Sequence, residues 1–134
     1  VSSKKKYRKY FNDHKNIYKL SNKDIENIKK SKILNKFYVD GLGIKCVEEE
    51  PWVTFAESSE CIMALHKVGL KKEATKIFDE VLKHKNSKGY FPTGYQYDLE
   101  IYWPEEDSTW TNAAIIMDVD CIHDSTGKEK VILI

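Results

Sequence analysis

Apolar side chains recur every three or four residues along most of this chain, which is the spacing of an amphipathic helix. The clearest stripe predicts a helix from the apolar positions Ala74, Ile77, Phe78, Val81 and Leu82. A second stripe precedes it at Cys61, Ile62, Ala64, Leu65 and Val68. Gly69 lies between the two stripes, where a left-handed glycine ends a helix. Because this connection is so short, the two helices are predicted to form an antiparallel hairpin.

A third helix is predicted from Ser108 through Ile122, with Asp107 or Ser108 as its N-cap. This segment is apolar nearly all round, unlike the two amphipathic stripes before it. A helix without a polar face is typical of one that is covered on every side. We therefore expect this third helix to be buried.

The N-terminal part predicts two further helices. Aromatic residues and one histidine share a face at helical spacing and predict a helix over about residues 3–14; they are Tyr7, Tyr10, Phe11, His14 and Tyr18. Ser21 is a suitable N-cap for a second run that carries apolar residues as far as Phe37. The sequence Asp40-Gly-Leu-Gly43 then interrupts the helical pattern.

Size and charge narrow the classes of function. The chain has 134 residues, of which 41% are hydrophobic, so residues 1–134 are predicted to form a single α-helical domain. Lys and Arg number 22 against 21 Asp and Glu, for a net charge of +1. No overall field favours nucleic acid or a membrane surface, so neither is predicted as a partner. No stretch is long and apolar enough to predict a membrane span.

The three cysteines, Cys46, Cys61 and Cys121, do not form the even, closely spaced set of a disulfide framework. They fit a reducing compartment, and we predict a cytoplasmic location. No Gly-rich phosphate loop or familiar zinc spacing is present, so no cofactor and no metal are predicted. Because the chain begins at Val1, we expect a processed protein or a piece of a longer one.

The segment 89–107 joins the helix predicted around Ala74–Leu82 to the helix predicted from Ser108, and it has an unusual composition. It contains six aromatic residues and a cluster of acids, within a connection longer than most loops. Only Tyr95-Gln-Tyr97 suggests a short strand. The functional prediction depends on this segment forming an aromatic, acidic mouth on paired helices, and its incorporation into a sheet would count against that prediction.

Residues 52–122 resemble the helical-hairpin repeats of (α/α) toroid proteins, the six-hairpin glycosidase and terpenoid-cyclase-like superfamily. The resemblance is carried by Trp52, Glu57, Ala64-Leu65, Gly69, Ala74, Gly89-Tyr-Phe-Pro92, Trp103-Pro104, Trp110 and Ala113-Ala114. It implies an all-α fold of antiparallel helical hairpins, here a partial (α/α) toroid. Such a ring needs about twelve helices, so the chain is expected to be one arc, either a fragment or completed by a partner.

Carboxylates are the candidates for catalysis. Glycoside hydrolysis needs two of them, about 5 to 9 Å apart, on either side of the bond that breaks. We predict Glu57, at the start of a helix, and Asp98, in the aromatic segment. Glu57 has a competing interpretation, because Thr54-Phe-Ala-Glu57 is a capping-box pattern. Solvated loop acids are the competing interpretation for Asp98.

Aromatic rings are the candidates for substrate binding, since sugar rings present apolar faces that can stack on them. Trp52, Tyr95, Tyr97 and Trp103 are the predicted platform. The competing interpretation is that rings such as Trp103 pin the loop to the helix ends. Trp110 lies on a core-like stripe and is predicted to be core.

The leading functional prediction is a carbohydrate-active domain, glycoside-hydrolase-like or lyase-like, that acts on or binds a saccharide. An alternative is a non-catalytic helical-repeat module that self-associates or completes a larger partner, so a homo-oligomer or a fragment is expected. A terpenoid-handling toroid ranks last, because the chain has no Asp-rich metal motif.

Overall fold

The computed structural model describes residues 21–30 and 32–124. The chain divides into two compact units, whose described residues are 21–30 and 32–124. The predicted helix over residues 3–14 and the apolar tail 131–134 lie outside the described residues. Whether residues 1–134 form a single domain stays a prediction.

In the first unit, helix α1 spans Asn22–Lys30. The Ser21 hydroxyl accepts a hydrogen bond from the Asp24 backbone N–H at 3.1 Å, which confirms Ser21 as the N-cap. The Asp24 carboxylate accepts in return from the Ser21 N–H at 3.0 Å. These hydrogen bonds to Ser21 lower the pKa of Asp24. The reciprocal arrangement resembles a capping box and fixes where α1 begins.

The second unit contains both helices and sheets, so the prediction of an all-α fold is wrong. Helix α2 spans Ile33–Phe37 and leads into β1, Tyr38–Val39, which pairs antiparallel with β2, Gly43–Ile44. A second sheet has three antiparallel strands in the order β3-β4-β5. They are Trp52–Thr54, Gly94–Gln96 and Ile101–Tyr102. With strands of two or three residues, a period-two pattern has no room to stand out.

The predicted helical hairpin is confirmed. Helix α3 spans Phe55–Lys67 and helix α4 spans Lys71–Leu82, and the two pack against each other. Gly69 connects them with φ +88, and the Leu70 N–H closes the turn by donating to the Leu65 carbonyl. This is the left-handed helix ending that the sequence predicts.

The core lies between these helices and the three-stranded sheet. Its buried members come from β2, β3, α3, α4, the segment after α4, and the last helix; they are Ile44, Val53, Phe55, Ile62, Leu65, Ala74, Ile77, Phe78, Val81, Phe91 and Ile115. Buried Ser58 joins two of these elements. Its hydroxyl donates to the Thr54 carbonyl at 2.6 Å and accepts from the Ile44 N–H at 2.9 Å. The sheets and the helical hairpin therefore share one core.

The last helix, α5, spans Thr109–His123, and the Ser108 hydroxyl caps it by accepting from the Thr111 N–H. It packs mainly against α3 and also contacts α4. Its Trp110 is 69% exposed and its Ile116 is 68% exposed. The expectation that this helix is buried all round, with Trp110 in the core, is therefore wrong for the described part of the chain.

Asp118 is the one acidic side chain that α5 buries completely among the described residues. Neither of its carboxylate oxygens makes a hydrogen bond within residues 21–30 and 32–124. Burial raises the pKa of Asp118 to about 8, and the nearby Ser59 hydroxyl opposes that rise. Burial, together with the charge on Asp118, also raises the pKa of Cys61 to about 11. The carboxyl is therefore held mainly protonated at neutral pH.

The first prediction concerns stability against pH. An unfolded aspartate has a pKa near 4, so between about pH 4 and pH 8 the folded chain holds a proton that the unfolded chain has lost. The free energy of unfolding should thus fall by several kcal/mol as pH rises through that range. Asp118→Asn should remove most of this dependence and be the more stable protein at pH 8.

Urea unfolding at pH 5 and at pH 8 measures both proteins. Asp79→Asn is the matched control, because Asp79 is exposed on α4. Parallel pH dependence in the wild type and in Asp118→Asn would show that the buried carboxyl does not carry this effect.

Candidate functional site

The hairpin of β4 and β5 organises the aromatic segment. Tyr95 pairs with Tyr102, and Val53 of β3 pairs with Tyr95, so these three side chains share one face of the sheet. Trp52 pairs with Gln96 on the opposite face. The Trp103 N–H extends the ladder by donating to the Gly94 carbonyl at 3.0 Å. The sheet therefore sorts the aromatic rings of this segment into two groups.

His84 lies at the centre of the first group. Its imidazole contacts three rings: Phe55, with centroids 4.6 Å apart, Tyr95 at 5.6 Å and Tyr102 at 5.9 Å. Its Nδ1 lies 3.1 Å from the Tyr102 hydroxyl. Burial lowers the pKa of His84, the positive charge of Lys83 adds to this effect, and the Leu42 backbone opposes it. His84 is therefore a neutral ring that joins the helical hairpin to the β hairpin.

A surface cleft of about 430 Å³ lies beside this cluster. Tyr102, Pro92 and Pro104 supply apolar surface, and the other lining residues are polar or charged: His84, Lys85, Asn86, Lys88, Glu105, Glu106 and Asp107. Small-molecule sites combine apolar walls with a few placed polar groups in this way. The cleft therefore has both elements that saccharide binding needs.

Hydrogen bonds fix two of the acids at the rim of the cleft. Glu106 Oε1 accepts from the Thr93 hydroxyl at 3.0 Å, and Asp107 Oδ1 accepts from the Asn86 amide at 3.1 Å. The Asn86 side-chain oxygen Oδ1 accepts from the Tyr90 N–H at 3.0 Å, which braces the turn after α4. These two acids are therefore held in place by neutral partners.

The second aromatic group is the pair formed by Trp52 and Trp103. Their rings meet edge to face with centroids 5.6 Å apart, and Trp52 Nε1 donates to the Trp103 carbonyl at 2.9 Å. Gly94 lies beneath the Trp52 indole, where an added Cβ would come within 2.4 Å of Nε1. Trp103 is 56% exposed, so this pair presents a ring on the outer face of the sheet.

The predicted platform is therefore divided. Trp52 and Trp103 come together on one face, while Tyr95 packs with His84 and Tyr102 on the other. Tyr97 is half-buried against the core, and its N–H donates to the Pro51 carbonyl. Their role in binding stays a prediction.

Glu57 lies in the first turn of α3, half-buried, with Oε1 3.7 Å from the Cys46 sulfur. The Thr54 side chain makes no cap hydrogen bond, so the capping-box interpretation is wrong. Asp98 is exposed in the turn between β4 and β5. Glu57 lies beyond the Thr54 end of β3. Asp98 follows Gln96, which pairs with Trp52, so Asp98 lies beyond the opposite end of that strand. They do not line the cleft, and their catalytic role stays a prediction.

Comparison with known proteins relates the sequence of this chain to that of one curated protein. No protein-family model matches the chain. The chain is 40% identical over 92 residues to a protein of Mycolicibacterium hassiacum named MMP endo-(1,4)-3-O-methyl-alpha-D-mannosidase. The matched segment covers 69% of this chain and 26% of that relative, so the chain spans about a quarter of the relative's length. This similarity indicates a relationship to a glycosidase.

Two further observations concern the described residues. In residues 21–30 and 32–124, no three His, Cys, Asp or Glu side chains gather closely enough to hold a metal ion. Within the same ranges, no helix has both the length and the apolar character to cross a membrane.

Sequence reasoning did not select His84, Tyr102 or the acids of the cleft as site residues. His84 had a usable signal, because it continues the buried stripe of Ile77 and Val81 beyond the end of α4. For Tyr102, the signal is that it pairs with Tyr95 across the hairpin, which depends on a register that the sequence does not mark.

The second prediction tests how Gly94 supports the tryptophan pair. In Gly94→Ala the new methyl group would collide with Trp52 Nε1 and with the Val53 carbonyl, 2.7 Å away. We expect the free energy of unfolding to fall by about 2 to 3 kcal/mol. Gly89→Ala is the comparison, since Gly89 has open space and φ +86, and left-handed strain alone costs about 1 kcal/mol. Equal losses in the two variants, by urea unfolding, would mean that the close approach is not important.

Proposed function

We propose that this chain is part of a carbohydrate-active, glycoside-hydrolase-like protein, and that the cleft beside Tyr102 binds a saccharide. The observation that carries the proposal is the 40% identity over 92 residues to a protein named as an endo-mannosidase. The cleft gives the proposal independent support, because it combines an exposed tyrosine ring with carboxylates and the Asn86 amide. The aromatic segment contributes two strands to a sheet, so it does not form the predicted mouth on paired helices.

The proposed ligand is an oligosaccharide of α-(1,4)-linked 3-O-methyl-D-mannose, the class that the relative's name describes. Methyl ethers add apolar surface to a sugar and remove hydroxyl donors. Tyr102, Pro92 and Pro104 offer apolar surface to such groups. Glu105, Glu106 and Asp107 can accept hydrogen bonds from the hydroxyls that stay unmethylated.

Hydrolysis needs a further element. Two carboxylates must flank the scissile bond, one as acid and the other as base or nucleophile. We propose that the acids of the cleft, Glu105 to Asp107, are better placed for this role than Glu57 and Asp98. Glu57 and Asp98 lie beyond opposite ends of β3. Because the chain matches only 26% of its relative, the complete reaction is a proposal for the whole protein.

The third prediction tests where the saccharide binds. A synthetic α-(1,4)-linked 3-O-methyl-mannose oligosaccharide is titrated into the 134-residue chain by calorimetry. Tyr102→Ala should weaken binding at least tenfold, because it removes the exposed ring of the cleft. Tyr90→Ala is the matched control, since Tyr90 is 52% exposed against 46% for Tyr102 and does not line the cleft.

Trp103→Ala separates the cleft from the outer face of the sheet. The proposal expects a smaller loss of affinity than for Tyr102→Ala. Loss of binding in Trp103→Ala with full binding in Tyr102→Ala would move the saccharide to the tryptophan pair. No binding by the wild type would contradict the proposed function of this chain.

A second candidate function is a non-catalytic module that self-associates or completes a larger partner. The specific observation in its favour is the exposure of large apolar side chains on α5: Ile116 and Val119, three residues apart, are exposed, and so is Trp110 near the start of the helix. Exposed apolar surface of this kind is typical of an interface that another chain or segment covers.

The fourth prediction follows from this candidate. If the face mediates self-association, the wild-type chain should sediment as a dimer and Ile116→Asp as a monomer. Lys72→Gln, at an exposed position of α4, lowers the net charge by the same one unit and serves as the control. A wild type that is monomeric at high concentration would contradict self-association.

A further inference from the structure

We propose that His84 is a positioning residue that keeps the Tyr102 hydroxyl oxygen available as a hydrogen-bond acceptor for a free hydroxyl group of the saccharide. This inference rests on the proposed function and deepens it. Tyr102 contacts the ligand, and His84 acts on the ligand only through its hydrogen bond to Tyr102.

The geometry holds His84 in one place. The side chain is 8% exposed and is packed against Phe55, Tyr95 and Tyr102. Its Nδ1 lies 3.1 Å from the Tyr102 hydroxyl, while the Tyr102 ring packs on Tyr95 with centroids 5.0 Å apart. Tyr102 itself is 46% exposed and lines the cleft. A buried imidazole therefore lies against the hydroxyl of a half-exposed tyrosine that lines the cleft.

The position of the proton on the His84 ring decides which way the Tyr102 O–H points. Burial lowers the pKa of His84, so the ring is neutral at pH 7 and has one donor nitrogen and one acceptor nitrogen. The Leu42 backbone favours the protonated imidazole, as an acceptor does, and Nε2 is buried with no hydrogen-bond partner among the described residues. The proposal places the proton on Nε2, the nitrogen that does not face Tyr102. With the proton on Nε2, Nδ1 accepts, and the Tyr102 O–H is directed inward to it.

Recognition follows from that direction. Once its proton is committed to His84, Tyr102 offers the cleft only lone pairs. It can accept from a sugar hydroxyl but cannot donate to a methyl ether. The site is therefore selective for a free hydroxyl at this point of a partly methylated chain, while the apolar walls tolerate methyl groups elsewhere.

The fifth prediction is a double-mutant cycle on affinity for the same α-(1,4)-linked 3-O-methyl-mannose oligosaccharide. Tyr102→Phe removes only the hydroxyl and should weaken binding about fivefold, the effect of about 1 kcal/mol for one hydrogen bond. His84→Ala should weaken binding by a similar factor. The double variant should be no weaker than Tyr102→Phe alone, because the two residues act through one hydrogen bond.

His84→Asn is the rescue variant, since its amide can present a polar atom near the position of Nδ1. It should recover most of the affinity that His84→Ala loses. Thermal unfolding of every variant shows whether the fold is intact. Losses that multiply in the double variant, or failure of His84→Asn to recover binding in a folded protein, would show that His84 only supports the structure.

A second readout needs no ligand. Nitrogen-15 NMR of the histidine rings reports which nitrogen of His84 carries the proton, and the expected form has it on Nε2. A proton on Nδ1 in a chain that binds the saccharide would overturn this inference alone. A proton on Nε2 in a chain that binds no saccharide would overturn the proposed function, and with it the role of Tyr102 in recognition.

Discussion

The pairing of Trp52–Thr54 with Gly94–Gln96 is the interaction on which the rest of the second unit depends. It joins segments about forty residues apart and does so immediately before α3 begins at Phe55. The Phe55 N–H donates to the Thr93 carbonyl, so the ladder continues into the first residue of the helix. Because a helix start and a sheet edge share these residues, the β hairpin is fixed relative to the helical core.

That constraint explains how one short segment produces two different surfaces. Successive residues of a strand face opposite sides, so Tyr102 lies with His84 and Tyr95, while Trp103 lies with Trp52. Phe55 of the core packs against His84 in the first of these groups. Tyr102 and His84 of that group line the cleft. Gly94 lies beneath the Trp52 ring of the pair formed by Trp52 and Trp103. We propose saccharide recognition on the side of Tyr102 because the acids of the cleft are found there.

The sequence predicts the helices better than it predicts the site. The hairpin around Gly69 and the cap at Ser108 come from local rules of periodicity and capping, and both are confirmed. The sheets come from pairings between distant residues, and strands of two or three residues carry no readable period. The all-α prediction failed for that reason. The predicted burial of α5 failed as well, because an all-round apolar pattern does not say what covers the helix.

The candidate site shows the same difference between local features, which the sequence predicts, and pairings of distant residues, which it does not. Aromatic and acidic composition pointed to residues 89–107, which supply much of the lining of the cleft, but not to the register that separates Tyr102 from Trp103. The carboxylates chosen from the sequence, Glu57 and Asp98, follow opposite ends of β3. Those that line the cleft are consecutive, Glu105 to Asp107, and their position depends on bonds to Thr93 and Asn86 that only the folded chain brings together.

The most direct test of the account maps the ligand onto the folded chain by NMR. An α-(1,4)-linked 3-O-methyl-mannose oligosaccharide is titrated into labelled protein, and shifts are followed at Tyr102, at His84 and at the indole N–H groups of Trp52 and Trp103. The account predicts saturable shifts at Tyr102, His84 and residues 104–107, with smaller ones at the indoles. Saturable shifts confined to Trp52 and Trp103, or none anywhere, would contradict it.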